Sequence, residues 1–227
     1  MRLLPPAVLV VAVAGALLFI LLRPRSAQAA PLSVGAPAPD FIAQAITAGQ
    51  AIPVHLSDYR GRQVVLYFYP KDNTPGCSRE ACAFRDGYAI FQQAGITVLG
   101  CSIDSADAHA RFIKKYGLPF PLLLDPDHKI AKVYHADNGI PILGLDKRLT
   151  YVIGADGTIE KVYPEVDPAT NAREIIHDLG ADRPHPAVTT SPAPPIGSAE
   201  APPQPAGIRR APAKPATPDG SGNNDIE

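Results

Sequence analysis

The sequence has few cysteines and almost no net charge, and both deficits exclude classes of function. Three cysteines among 227 residues cannot build a disulfide-rich framework, but they allow one redox pair and one spare thiol. A formal net charge of -1 implies no bulk attraction to nucleic acid or to anionic lipid. We therefore expect no nucleic-acid partner, and a thiol-based function fits this cysteine content.

Motifs for metals and nucleotides are also missing. The six histidines are scattered and form no H-x-x-H or Cys/His cluster, which argues against a zinc or iron site. There is no phosphate-binding loop and no G-x-G-x-x-G pattern, so no nucleotide is expected. Asp125 and Asp127 could suggest a cation, but their place in LLLDPDH is more typical of turn and capping residues. The sequence thus predicts neither a cofactor nor a metal.

The two ends of the chain differ from its middle. Leu3 to Leu22 is an uncharged apolar run of about the length that a bilayer-spanning helix needs, although two prolines shorten it. The flanking arginines leave the positive-inside rule nearly balanced or slightly against export. We nevertheless predict a signal peptide or transmembrane anchor over residues 1–31 that exports the protein to the periplasmic side. Residues 183–227 predict a disordered Pro/Ala-rich tail, and residues 32–182 a single globular domain.

The stretch from Val64 to Asp86 organises this domain. Val64 to Tyr69 is an apolar, aromatic-rich run, which is typical of a strand buried on both faces. The next residues, PKDNTPG, have the composition of a loop, and Cys77 opens a helical pattern that stops at Gly95. The sequence therefore predicts a cysteine where a loop becomes the first turn of a helix, directly behind a central strand.

This position favours a reactive Cys77. Free N–H groups and the positive end of the helix dipole stabilise an anion there, and the thiolate is the nucleophilic form of cysteine. Thr74 lies three residues upstream, where its hydroxyl can point at whatever Cys77 attacks. Pro75 and Gly76 shape the loop and let the backbone approach closely. An inert buried cysteine is the alternative, but the polar loop argues against it.

The other two cysteines have weaker signals. Cys82 follows Cys77 by five residues, which on an intact helix separates the Cα atoms by about 8–9 Å, and a disulfide needs less than about 7 Å. The two can pair only if the first turn or two unwinds, and by spacing alone Cys82 is better interpreted as a small core residue. Cys101 lies in the apolar pattern VLGCSID and is predicted to be a core residue.

The run YPKDNTPGCSREACAFRD resembles the active-site signature of peroxiredoxins, with Pro70, Thr74 and Cys77 at the spacing P-x-x-x-T-x-x-C. The C-x4-C spacing that ends at Cys82 resembles the PrxQ branch, also called bacterioferritin comigratory protein. The similarity extends over roughly residues 33–180 and includes DYRGRQVVLYFYP, ITVLGCSID and RLTYVIGADGTIEKVY. Ser78 is one departure, because the family usually has threonine there.

The resemblance implies a role for each of five residues. Cys77 would be the peroxidatic cysteine that becomes a sulfenic acid, Thr74 would hold the peroxide oxygen, and Pro70 would shield the thiolate. Arg148 matches the family's second active-site arginine, although on its own it reads as a surface strand residue. Cys82 would be the resolving cysteine within the same subunit.

The expected function is therefore that of a thiol-dependent peroxidase for hydrogen peroxide and organic hydroperoxides. It would be recycled by thioredoxin or a thioredoxin-like reductant, act as a monomer and associate with the membrane through its N-terminal segment. A membrane-anchored thiol–disulfide oxidoreductase is one alternative, but such a protein is expected to carry C-x-x-C, whereas this chain has C-x4-C. A redox sensor whose helix unwinding recruits a partner is another.

The order of the remaining elements predicts an α/β protein with a mixed central sheet flanked by helices, as in the thioredoxin-like fold that the resemblance also implies. A short strand is expected after Asp40 and Phe41, and a turn over Leu56 to Gly61. Further strands are expected at 98–103 and 121–125, with a hairpin of 150–154 and 159–163 around Ala155-Asp156-Gly157. A helix is expected at 106–116, capped by Asp104 or Ser105 and ended by Gly117. A short helix is expected after Asp127 through Tyr134, and a closing helix at 168–179.

Overall fold

The computed structural model describes residues 29–137 and 144–181. The predictions for the apolar run and for the proline-rich tail fall on residues 1–28 and 182–227, which lie outside the described residues, and the proposed domain boundaries therefore stay predictions. Within the two described ranges, no helix combines the length and apolarity that a bilayer crossing requires.

The centre of the domain is one mixed sheet, in which the described residues contribute seven strands. In chain order the strands are β1 (Ile42–Thr47), β2 (Gln50–His55), β3 (Val64–Phe68), β4 (Thr97–Ser102), β5 (Leu122–Leu124), β6 (Leu149–Ile153) and β7 (Ile159–Tyr163). Their spatial order is β2-β1-β5-β4-β3-β6-β7. β4 pairs parallel with β3 and β5, whereas the remaining pairs are antiparallel. The predicted mixed sheet and the late hairpin are confirmed.

Helices flank the sheet, namely α1 (Pro75–Gln93), α2 (Ala106–Tyr116), α3 (Lys129–Val133) and α4 (Asn171–Asp178). The ends of α2 match the prediction, because the Ser105 side chain accepts a hydrogen bond from the Ala108 N–H and Gly117 closes the helix at φ 61°. The closing helix was predicted to begin at Pro168, but α4 begins three residues later. The Asp167 carboxylate accepts the Ala169 N–H at 2.8 Å and makes a separate turn there.

The sheet separates two apolar cores, and β3 contributes to both. Alternation along the strand sends Val64, Leu66 and Phe68 to one side and Val65 and Tyr67 to the other, where α1 packs. All five residues of β3 are buried, as the apolar run predicted. The side chains of this strand therefore fix the sheet end from which the loop to α1 departs.

Cys101 lies on β4 in the core opposite α1 and is fully buried. Burial raises the pKa of its thiol well above the ordinary value, with smaller contributions from Asp125 and Asp146. This confirms the interpretation of Cys101 as a packing residue. Asp125 itself caps α3, because its carboxylate accepts the N–H groups of Ile130 at 3.1 Å and Ala131 at 2.8 Å.

Candidate active site

Cys77 lies in the first turn of α1, at the end of the loop that follows β3. The helix begins at Pro75 rather than at Cys77, because proline is favoured at the first helical position and Thr74 takes the extended N-cap conformation. The first helical N–H to find a partner is that of Ser78, which donates to the Thr74 carbonyl at 2.9 Å. The N–H groups ahead of it belong to the helix start and have no intrahelical acceptor. Cys77 is 1% exposed.

The guanidinium of Arg148 reaches this buried sulfur. Its Nη2 lies 3.2 Å from Cys77 Sγ. Arg148 directly precedes β6, and the first residue of β6, Leu149, pairs with Phe68 at the end of β3. The antiparallel pairing of β6 with β3 thus brings a residue 71 positions away along the chain to the start of α1. The contact places a charged N–H donor directly on the Cys77 sulfur.

Glu80 binds the other side of the same guanidinium. It was not predicted as a site residue from the sequence. Arg148 Nη1 donates to Glu80 Oε2, and Glu80 lies one turn after Cys77 on the same face of α1. Glu80 is 0% exposed. Burial raises the pKa of its carboxyl to about 7, although Arg148 pulls it down. The available signal was a glutamate within the apolar face formed by Cys77, Ala81 and Phe84.

Gly76 leaves the space that Arg148 occupies. A Cβ atom at this position would lie 3.1 Å from Arg148 Nη2 and 3.9 Å from Pro168 Cγ. That first contact is tighter than a carbon–nitrogen pair normally adopts, so a side chain here would displace the guanidinium from Cys77. Gly76 therefore lies in the first turn of α1 without a positive φ, and close packing of the Arg148 side chain explains why a glycine stands there.

Thr74 and Pro70 lie in the same loop. The Thr74 hydroxyl does not cap α1 and instead donates to the Lys71 carbonyl at 3.1 Å. This contact leaves the lone pairs of the hydroxyl oxygen available to an incoming donor. Pro70 is half-buried and directly follows Tyr69, which is fully buried. Its shielding role stays a prediction.

Cys82 lies in the second turn of the same continuous helix and is half-buried rather than part of the closed core. Cys77 and Cys82 are both free thiols. Since α1 is intact from Pro75 to Gln93, the helix geometry keeps the two Cα atoms about 8–9 Å apart. The structure therefore describes a reduced form in which these cysteines cannot be joined, and the resolving role of Cys82 stays a prediction.

A buried cysteine at a helix start, with a guanidinium on its sulfur and a mixed sheet behind it, is the arrangement of a thiol-based redox enzyme. Comparison with known proteins narrows this class. The AhpC/TSA family matches residues 34–162. The chain is similar to the chloroplastic peroxiredoxin Q of Sedum lineare, with 48% identity over 114 residues, which cover 49% of this chain and 59% of the plant protein.

Two bacterial proteins are matched over nearly their whole length. A putative peroxiredoxin bcp of Coxiella burnetii is 39% identical over 153 residues, which cover 65% of this chain and 99% of that protein. The crystal structure of peroxidoxin BcpB from Mycobacterium tuberculosis superposes with a TM-score of 0.60 at 29% identity, covering 67% of this chain and 99% of the other. The chain belongs to the AhpC/TSA family, and the resemblance to the PrxQ/bacterioferritin comigratory protein peroxiredoxins is confirmed. Its relatives favour a thiol-dependent peroxidase over the anchored oxidoreductase.

Proposed function

We propose that the chain reduces hydrogen peroxide and organic hydroperoxides with Cys77 as the attacking thiolate. The observation that carries this proposal is the 3.2 Å contact between Arg148 Nη2 and Cys77 Sγ. A buried thiolate is costly unless a positive charge and hydrogen-bond donors compensate it. Arg148 and the helix start supply both, and they remain in place for the negative charge that moves onto the leaving oxygen.

The first step forms an S–O bond and breaks the O–O bond. The Cys77 thiolate attacks the peroxide oxygen that carries the proton, and this proton passes to the other oxygen, which leaves as water or as an alcohol. The sulfenate left on Cys77 takes up one proton from solvent. Cys77 is oxidised to a sulfenic acid and the peroxide is reduced by two electrons. Thr74 fits the role of substrate acceptor, because its own proton is bonded to the Lys71 carbonyl.

The second step joins the two cysteines of α1. The Cys82 thiol condenses with the Cys77 sulfenic acid, so that an S–S bond forms and water leaves. The intact helix forbids this bond, so the first turns of α1 must unwind. Unwinding also exposes Cys77, which an external dithiol has to reach. Thioredoxin or a thioredoxin-like protein then reduces the disulfide by exchange.

The apolar run Leu3 to Leu22 supports export through residues 1–31, as a cleaved signal or an anchor that holds the domain at the membrane. In that compartment the reductant has to be periplasmic or relayed across the membrane. The complete site within one chain is consistent with action as a monomer, since Cys77, Arg148 and Cys82 all belong to the same domain.

The test treats the reduced full chain with one equivalent of hydrogen peroxide and maps the peptides by mass. We expect a loss of two hydrogens confined to the peptide that holds Cys77 and Cys82. In Cys82→Ser the expected product is a sulfenic adduct on Cys77, and Cys101→Ser, a matched control in the opposite core, should react as the wild type does. Unmodified Cys77, or full peroxidase activity in Cys77→Ser, would contradict the proposal.

A further inference from the structure

A buried contact between an aspartate and a histidine lies beneath the active-site loop, and it plays no part in the chemistry described so far. Asp72 belongs to this loop and is 6% exposed, and His109 belongs to α2 and is 0% exposed. His109 Nδ1 lies 2.9 Å from Asp72 Oδ2. Charged groups are rarely buried to this extent, and such a pair gains little stability over apolar packing. A role beyond stability therefore has to be considered.

Asp72 joins the loop to three surrounding elements. Its Oδ1 accepts the Tyr69 hydroxyl at 2.8 Å, at the end of the central strand run. Its backbone N–H donates to Asp104 Oδ2 at 2.8 Å, and the same oxygen accepts the Ser102 hydroxyl at 2.8 Å, at the end of β4. Together with His109 from α2, these contacts make Asp72 the fully internal attachment point of the loop.

His109 is held from its other side as well. Its Nε2 lies 3.2 Å from the carbonyl oxygen of Leu123 on β5. Each ring nitrogen thus faces an acceptor oxygen on a different element. The histidine therefore links the loop to strand β5 through one rigid ring.

The other contacts of the loop are weaker restraints. The Thr74 hydroxyl bonds to Lys71, which lies in the same loop and fixes nothing outside it. Asn73 accepts from the Lys115 ammonium at 3.1 Å, but this pair is exposed to solvent, and exposed polar pairs contribute little. The segment between β3 and α1 has one backbone hydrogen bond to the sheet, from the Tyr69 N–H to the Cys101 carbonyl at 3.1 Å. Beyond Tyr69, the buried hydrogen bonds that attach the segment to the domain core are those of Asp72.

We propose that Asp72 and His109 are positioning residues, whose buried contact holds Thr74 in the geometry that peroxide attack by Cys77 requires. This inference rests on the proposed peroxidase function. Neither residue touches the reacting sulfur. Both act through the loop, and the contact lies outside α1, so it stays in place when the first turns of the helix unwind.

Two substitutions of His109 separate its two contacts. In His109→Asn the amide nitrogen takes the place of Nδ1, so the contact with Asp72 is kept and the contact with Leu123 is lost. In His109→Gln the amide nitrogen takes the place of Nε2, so the contact with Leu123 is kept and the contact with Asp72 is lost. Asp72→Asn removes the carboxylate at constant size and tests the same contact from the other side. It replaces His109→Gln in the comparison with His109→Asn if His109→Gln does not fold. His177→Asn, on an exposed histidine of α4, is the control.

Three measurements on the reduced full chain test the inference. They are the rate of Cys77 oxidation by hydrogen peroxide, the rate of Cys77 alkylation by iodoacetamide, and amide hydrogen exchange of the peptide covering residues 70–77. We expect His109→Gln and Asp72→Asn to slow oxidation by about tenfold or more and to speed exchange of the loop. Alkylation, which needs the thiolate but no bound peroxide, should stay near the wild-type rate. His109→Asn should retain most of the oxidation rate.

Several results would overturn the inference. Equal losses in His109→Asn and His109→Gln would mean that the contact with Asp72 is not the cause. Loop exchange that stays at the wild-type rate in His109→Gln would mean that the loop is held by other contacts. A parallel fall of alkylation and oxidation would place the effect on the thiolate itself. A wild-type Cys77 inert to peroxide would contradict the proposed function, and the exchange measurement would still decide whether His109 anchors the loop.

Discussion

The buried carboxyl of Glu80 makes the stability of the protein depend on pH, and the size of the effect follows from its burial. Burial raises its pKa from 4.5 to about 7 in the folded protein, whereas in the unfolded chain it titrates near the ordinary value. Between these two values unfolding releases a proton, so the free energy of unfolding falls as the pH rises. The slope is about 1.4 kcal/mol per pH unit, which amounts to about 3 kcal/mol across the window.

Glu80→Gln isolates this contribution, because glutamine keeps the shape and an acceptor oxygen but cannot ionise. Urea unfolding of both full chains, followed by far-UV circular dichroism at several pH values, gives the free energy of unfolding of each. The wild-type value minus the variant value cancels other titrations, such as that of Asp146, whose pKa is raised to about 6 by burial. We expect this difference to fall by about 3 kcal/mol between pH 4.5 and about 7 and to level off above that.

Glu165→Gln is the matched control, because Glu165 is exposed and its charge interacts mainly with solvent. Its curve should run parallel to that of the wild type. A wild-type minus Glu80→Gln difference that does not change with pH would refute the reasoning. It would mean that Arg148 outweighs burial and keeps Glu80 ionised throughout the range.

Three further substitutions test the arrangement around Cys77. Arg148→Lys should lower both alkylation by iodoacetamide and oxidation by peroxide by about tenfold or more, because one ammonium cannot donate to Cys77 and Glu80 as the guanidinium fork does. Unchanged rates would assign Arg148 no role in reactivity. Gly76→Ala should give a smaller loss in the same assays with no loss in thermal unfolding temperature, because alanine is the better helix former, and a loss of stability alone would contradict this. Cys82→Ser should keep single-turnover oxidation of Cys77 but lose dithiol-dependent turnover in a coupled assay, and retained turnover would show another route of resolution.

Elements with strong local signals could be predicted from the sequence. The buried run of β3, the capping of α2 by Ser105 and Gly117, and the Asp156-Gly157 turn of the late hairpin all depend on residues adjacent in the chain. The start of α1 had such a signal too, since Pro75 is typical of a first helical position. β2 was missed because it is an edge strand that contains Pro53, and proline weakens the strand pattern.

The charged partners within the site could not be predicted in the same way. Glu80 and Arg148 are 68 residues apart, and Asp72 and His109 are 37 apart. Their contacts depend on the order of the strands in the sheet and on which face each helix buries. Local sequence patterns predict neither of these. The position of Arg148 was expected only through resemblance to a family. Glu80 and His109 were visible only as polar residues within otherwise apolar helix faces.

The charges around Cys77 also connect the two halves of the proposed reaction. In the proposed reaction the Cys77 thiolate would interact with Arg148, whose Nη2 lies 3.2 Å from the sulfur, and this attraction would stabilise the first turn of α1. Oxidation converts the thiolate to a sulfenic acid, which carries no full charge, so the attraction weakens while the burial of Arg148 and Glu80 stays costly. The helix start is then less stable after the first step than before it, and its unwinding toward Cys82 is favoured. Because Asp72 is attached outside the helix, our inference is that the loop would keep its place, and that reduction of the proposed disulfide would let the helix re-form on an intact base.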